Sequence, residues 1–199
     1  MHIIIDLDDV LIKSSYVDAM GKRCFCWTKN LKQDLGITAD VISLLSNNWD
    51  DVIIGKVSLC EHVEKTLGLT IGTVSSNDFI KYWTEYKVEL NEDVATWVTD
   101  MHAKGHRFYI ATNQENVRTQ RIIEQHPQFF WLFDKVFTSA DLGVQKNDAL
   151  FYIKVLDILN IKATEACCID DSQQNIDASV AAGIRSIRYT SEETFNISL

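Results

Sequence analysis

Short apolar runs that end abruptly in polar residues recur along this chain, and they organise it. The first, Ile3-Ile4-Ile5, breaks into Asp6-Leu7-Asp8-Asp9. A continuous apolar run of that length reads as a buried, parallel-type strand. Arg107-Phe108-Tyr109-Ile110-Ala111 has the same character and gives way to Thr112-Asn113-Gln114. Lys135-Val136-Phe137-Thr138 is a shorter strand, Ala166 to Ile169 runs into Asp170-Asp171-Ser172, and Ser186 to Tyr189 is the last. Between these runs the period lengthens to that of helices. Glu92 to Lys104 gathers Val94, Trp97, Val98 and Met101 on one side and stops at Gly105. Glu115 to Gln125, about Asn147 to Leu159, and Ile176 to Ala182 with Gly183 as its stop are further helices. Strands alternating with helices predict an α/β chain with a parallel sheet flanked by helices.

From about Ser14 to Val88 that alternation is missing. The stretch reads as helices with short joints: Gly36 and Gly68 look like C-terminal stops, Ser58 like an N-cap, and Ser76-Asn77-Asp78 like the opening of another helix. The predicted division is a catalytic core of residues 1–13 and 89–199 and an inserted all-helical cap, 14–88, standing over the acid cluster.

Composition narrows the class. With 199 residues, 46% of them apolar, a sizeable core can form. One proline and eight glycines speak against linkers and disordered tails. A formal net charge of −9 disfavours a nucleic-acid or anionic-membrane binder, which needs a basic footprint. No apolar stretch is long enough to span a bilayer, and the first strand gains acids too soon for a signal peptide, so the expected setting is cytoplasmic. Five cysteines, an odd number, are expected as reduced thiols, with Cys167 and Cys168 as packing residues. Zinc at Cys24, Cys26, Cys60 and His62 is disfavoured, because Cys60 and His62 would point roughly 200° apart on a helix. Arg23 and His62 default to the surface. Tyr82, Trp83 and Tyr86 default to packing, as does the cluster from Phe129 to Phe133, for which a dimer contact is the other reading; the chain is expected as monomer or homodimer.

The chemistry follows from convergence. In a parallel sheet the strand ends share one edge, so Asp6 and Asp8, Thr112 and Asn113, and Asp170 and Asp171 meet there. Two carboxylates at such a crevice need a cation or a proton to coexist, and Mg²⁺ suits oxygen-only donors and usually accompanies phosphate. With a phosphate monoester at that edge, Asp6 can attack phosphorus in line, and Asp8 can protonate the leaving alkoxide and later deprotonate water. Asp6, the backbone carbonyl at position 8 and Asp171 could hold the metal, Asp170 acting through a water. Thr112 offers a hydroxyl, Asn113 a backbone N–H, and Lys146 the compensating charge.

These residues also carry a family resemblance. DLDDV, then an apolar run with Ala-Thr-Asn, then Gly-Val-Gln-Lys, then Ile-Asp-Asp-Ser resemble, in order and over nearly the whole chain, the four signatures of haloacid dehalogenase-like hydrolases. The resemblance implies a Rossmann-like core, a helical cap inserted after the first strand, and Mg²⁺-dependent phosphoryl transfer. Carried over by position, it implies Asp6 as nucleophile, Asp8 as general acid/base, Thr112 and Lys146 as phosphate ligands, and Asp171 as direct metal ligand. Residues 49–67 further resemble sugar-phosphate phosphatases and the amino-terminal phosphatase domain of soluble epoxide hydrolases. The expected substrate is a small phosphorylated metabolite. A phosphotransferase or mutase on the same path, and a non-catalytic phosphometabolite sensor, are the competing readings. A dehalogenase has no need of the acid/base at Asp8. One departure is Asn147, where a proline commonly follows the motif lysine; Asn147 is expected to cap the next helix.

Overall fold

The computed structural model describes residues 1–67 and 74–190, the side chains of 39–41 and 67 excepted. In chain order, β1 (His2–Asp6) leads through β2 (Ile12–Lys13) to a short hairpin of β3 (Ser15–Val17) and β4 (Arg23–Phe25). Five helices follow: α1 (Leu31–Leu35), α2 (Ala39–Leu45), α3 (Trp49–Ile53), α4 (Leu59–Leu67) and α5 (Ser76–Glu85). The chain returns through β5 (Glu89–Leu90) to α6 (Glu92–Ala103), β6 (Arg107–Thr112), α7 (Asn116–Gln125), α8 (Pro127–Phe130) and β7 (Phe133–Thr138). It ends with α9 (Ser139–Leu142), α10 (Ala149–Leu159), β8 (Ala166–Asp170), α11 (Gln173–Ala181) and β9 (Arg185–Arg188).

The main sheet has the order β7-β6-β1-β8-β9, and each of its pairings is parallel. β1 lies at its centre, which is why three isoleucines occur in a row: both faces of the strand are covered. Ile3 and Ile5 face a cluster with Val94, Trp97 and Val98 of α6. Ile4 faces the opposite side, where Phe151, Tyr152 and Val155 of α10 pack. The period of two along β1 thus divides one strand between two hydrophobic layers. Cys167 and Cys168 on β8 are buried in the same way, as expected of packing residues. Burial raises both thiols, that of Cys168 to about 12. A thiol-specific reagent is therefore expected to label exposed Cys60 quickly and to reach Cys167 and Cys168 only on unfolding; mass-spectrometric mapping of the labelled sites checks this.

The stretch between β2 and β5 is not wholly helical. β3 and β4 pair antiparallel within it, Ser15 opposite Phe25 and Val17 opposite Arg23, which corrects the all-helical expectation. Each of these strands has three residues, too few for alternation to register as a pattern. β2 and β5 pair antiparallel where the chain leaves the core and returns. The five helices enclose a hydrophobic centre of their own, containing Leu31, Leu45, Val52, Val63, Phe79 and Trp83. Gly36 adopts φ +68° as the stop of α1, and Ser58 Oγ accepts the Glu61 N–H at 3.1 Å, as expected; Gly68 lies outside the described residues. Behind α3, a Cβ added at Gly55 (φ +73°) would sit 2.7 Å from the Ala140 carbonyl oxygen, so only glycine fits that approach to α9. Beside it, Ser139 Oγ donates to the Ile53 carbonyl at 2.5 Å.

Phe129, Phe130 and Phe133 pack into the layer that holds α6, whereas Trp131 is 88% exposed. Among the described residues no helix is long and apolar enough to cross a membrane.

Candidate active site

The carboxyl ends of β1 and β8 lie side by side, with Ile5 in register with Ile169, so Asp6 and Asp170 are neighbours. Between them runs Lys146. Its Nζ meets Asp6 Oδ1 at 2.5 Å and Asp170 Oδ2 at 2.8 Å and also donates to the Ala111 carbonyl at 3.1 Å. Lys146 is 1% exposed. Burial pulls its ammonium down, but the two carboxylates outweigh this and hold it above the usual lysine value. For Asp6, burial raises the carboxyl well above the carboxylate range; Lys146 draws it back and Asp170 pushes it further up. One ammonium cannot neutralise two carboxylates, so the group is left with an unmatched negative charge unless a proton or a cation joins it.

Other contacts fix each participant. The Asn113 carboxamide oxygen accepts the Lys146 backbone N–H at 2.8 Å, tying the end of β6 to the lysine loop. Asp170 accepts from the Ser172 N–H at 2.9 Å and from Asn175 Nδ2 at 3.0 Å. Thr112, almost wholly buried, is one residue beyond Ala111, the register partner of Asp6. Asp8 is held from α7 and the loop before it: Gln114 Nε2 donates to Oδ2, and Arg118 Nη1 lies 3.3 Å from Oδ1. Thr119 Oγ1 donates to Gln114 Oε1 at 2.9 Å, which orients the amide with its N–H toward Asp8. The buried carboxylate of Glu115 caps α7 through the Val117 and Arg118 N–H groups. Burial raises its pKa against those two bonds.

In the sequence Asp9 is one member of the acidic run; in the fold it has a separate part. It stands at φ +59°, and its carboxylate gathers the Ser14 and Ser15 N–H groups, Ser15 Oγ and the Arg23 guanidinium. Arg23 also donates to Asp171 Oδ2 at 3.0 Å. The arginine assigned by default to the surface thus bridges two acids of the site from the hairpin. Arg23 is exposed as expected, whereas His62 is buried, its Nε2 2.8 Å from the Leu45 carbonyl. Asn147 does not cap the following helix: Asp148 does, accepting the Leu150 N–H at 2.9 Å. Lys146 keeps its orientation through Asn113 instead.

Among the described residues, Asp6, Asp170 and Asp171 form the one group of three placed to hold an ion, their carboxylate oxygens within 4.8 Å of one another. Hard oxygen donors with no nitrogen or sulfur suit Mg²⁺, and a divalent cation would offset the uncompensated charge. A cavity of about 320 Å³ opens above this centre, lined on the core side by Asp6, Asp8, Asn113, Arg118 and Asp171. Thr112, Lys146 and Asp170 lie almost wholly buried. Gln114 and Arg118 escaped sequence reasoning, although their place just past the end of β6 and in the first turns of the following helix marks where side chains reach such a site.

A parallel α/β sheet in which two adjacent strands end in carboxylates bridged by a buried lysine defines an enzyme core of the Rossmann-like type. The chain belongs to the haloacid dehalogenase-like hydrolases, whose family model matches residues 1–183. A sesquiterpene phosphatase, astK of Aspergillus oryzae, is 26% identical over 175 residues, 86% of this chain and 87% of the relative. A HAD family enzyme from Bacteroides thetaiotaomicron, solved with magnesium and inorganic phosphate, superposes with a TM-score of 0.77 at 16% identity, covering 98% of this chain and 96% of that one. A 2-haloacid dehalogenase from Pseudomonas syringae pv. Tomato has a TM-score of 0.71 at 16% identity, covering 98% and 89%. At these identities the structural likeness shows a shared fold.

Proposed function

We propose that the chain is a Mg²⁺-dependent phosphatase that hydrolyses a small phosphate monoester through an aspartyl phosphate on Asp6, with residues 14–88 as a cap over the site. The observation that carries this reading is the pair of salt bridges from Lys146 to Asp6 and Asp170 at two adjacent strand ends. It places Asp6 at the cavity floor in a pair of carboxylates that one ammonium only half neutralises. Asp6 Oδ attacks phosphorus as the ester P–O bond breaks, and Asp8 gives its proton to the departing alkoxide. Water then attacks the phosphoryl group, Asp8 takes a proton from it, and Asp6 is released as carboxylate together with inorganic phosphate. Thr112 and the Asn113 N–H face the phosphoryl oxygens, and Lys146 supplies fixed positive charge beneath them. Asp6, Asp171 and the carbonyl at position 8 would hold Mg²⁺, with Asp170 acting through a water; when bound, it supplies charge neutralisation at the phosphoryl oxygens.

Asp8, held by Gln114 and Arg118, provides the acid/base that ester cleavage requires and a carbon–halogen displacement does not. A relative named as a phosphatase supports the same choice. Hydrolysis of an aryl phosphate is expected with Mg²⁺ and is expected to vanish in EDTA. Asp171→Ala should abolish both the turnover and the rise in melting temperature that Mg²⁺ gives the native protein. Undiminished turnover in EDTA would refute the metal requirement.

A further inference from the structure

The upper wall of the cavity differs in character from its floor. The floor is carboxylate, amide and guanidinium; the wall contributed by the hairpin, the helical turn Cys26–Thr28 after it, and helices α2, α3 and α5 is mainly hydrocarbon. Four aromatic residues dominate it, Trp27, Trp49, Phe79 and Trp83, with Phe25 beside them. They are packed on one another: Trp49 and Trp83 have ring centroids 5.3 Å apart, and Trp27 lies 6.0 Å from both Phe79 and Trp83. On the rim, Phe25 is 57% exposed and stacks at 6.4 Å on Trp27. The indole Nε1 of Trp83 is buried without a partner, so that ring presents carbon to the cavity rather than a donor. The polar side chains this region adds to the lining are Ser14, Arg23 and Ser46; Ser14 lies low beside the carboxylates, and Arg23 is already engaged by Asp9 and Asp171.

A polyol placed here would lose water from several hydroxyls and regain few hydrogen bonds, an unfavourable exchange for each unpaired group. A hydrocarbon loses nothing of that kind and gains the removal of apolar area from water. The rings brace one another, so the space is largely formed before a ligand arrives, and little ordering opposes binding. Arg118 joins the two halves: its guanidinium pairs with Asp8 and stands 5.8 Å from the centre of the Trp83 ring.

We propose that the alcohol released from the substrate carries an apolar hydrocarbon skeleton, seated among Trp27, Trp49, Phe79 and Trp83 while its phosphate lies over Asp6. This rests on the phosphatase reading for the chemistry but not for the binding preference. It sets aside the sugar phosphates that the resemblance of residues 49–67 suggests.

Two measurements test it separately. The first is binding of octylphosphonate and methylphosphonate to the native protein with Mg²⁺, followed by tryptophan fluorescence. Neither P–C bond is hydrolysable by this route, so the result does not depend on catalysis. Octylphosphonate is expected to bind at least ~100-fold more tightly; equal affinities would overturn the proposal whatever the enzyme hydrolyses. The second is kcat/KM for 1-naphthyl phosphate and geranyl monophosphate against glucose 6-phosphate. A preference of at least ~100-fold for the apolar esters is expected, and Trp27→Ala should shrink that ratio at least ~10-fold, while Trp27→Phe retains most of it. Equal or faster turnover of the sugar phosphate would overturn the proposal and leave the phosphatase reading intact. If none of the esters is hydrolysed, the phosphatase reading falls and the phosphonate comparison still decides the hydrocarbon preference.

Discussion

Asp6→Asn is expected to reduce aryl phosphate hydrolysis by on the order of 10⁴-fold or more, the scale seen when a nucleophile is removed from a catalytic unit. The exchange is nearly isosteric, so shape is conserved and the effect isolates the carboxylate. An amide cannot form the acyl phosphate, and it removes one negative oxygen from the group of Asp6, Asp170 and Asp171. Folding is expected to survive, because Asn can still accept from Lys146 Nζ and from the Leu7 N–H, which lies 2.7 Å from Asp6 Oδ1. Initial rates on native and variant protein at saturating Mg²⁺, with the melting temperature of each, check both halves. Turnover by a folded variant at the native rate would remove Asp6 as the attacking group, and the covalent route with it.

Lys146→Met should act on stability as well as on turnover. Methionine keeps much of the length but removes the charge, leaving Asp6 and Asp170 buried with no cation between them. Breaking a buried ion pair from one side is destabilising by about 3–5 kcal/mol. In a chain of this size that corresponds to a fall in melting temperature of roughly 6–20 °C. Mg²⁺ should recover part of it, since a cation among the three acids supplies charge that the variant lacks. Calorimetry with and without Mg²⁺ measures this. A melting temperature within about 2 °C of native, without added metal, would mean that the two acids relieve each other by holding a proton, and Lys146 would lose its role as counter-charge.

The sheet and the residues on its edge were legible because each is local in sequence. An apolar run breaking into Asp6-Leu7-Asp8 states both the strand and what its end offers, and the same holds for Ala111-Thr112 and Ile169-Asp170. What could not be read is what arrives from a distance. Arg23 reaches Asp171 across 148 positions, from a hairpin whose strands are three residues each. Trp83 looked like packing because it is packing, being part of the hydrophobic centre of the insert; its second service as cavity wall depends on where α5 lies against α7. The sequence suggests a backbone role for Asn113, whereas its side chain fixes the lysine loop, 33 positions away. The cap of the helix after Lys146 shifted by one residue, from Asn147 to Asp148, because both residue types serve equally well as caps and only the backbone decides between them.

The contact of Gly55 and Ile53 with α9 bears on how ligands come and go. A segment joined to a core only through β2 and β5 could swing about that pair as about a hinge. Here the segment is fastened elsewhere too, by Arg23 to Asp171 and at α3, where Ser139 binds the Ile53 carbonyl and Gly55 lies against Ala140. Rotation of the segment as a rigid body would have to break that hydrogen bond and separate a fitted surface. A ligand that left the fastening whole would have to pass the cavity rim, of which the exposed Phe25 is part. On the reading proposed above, release of a bulky alcohol past that rim is the step such a fastening would slow.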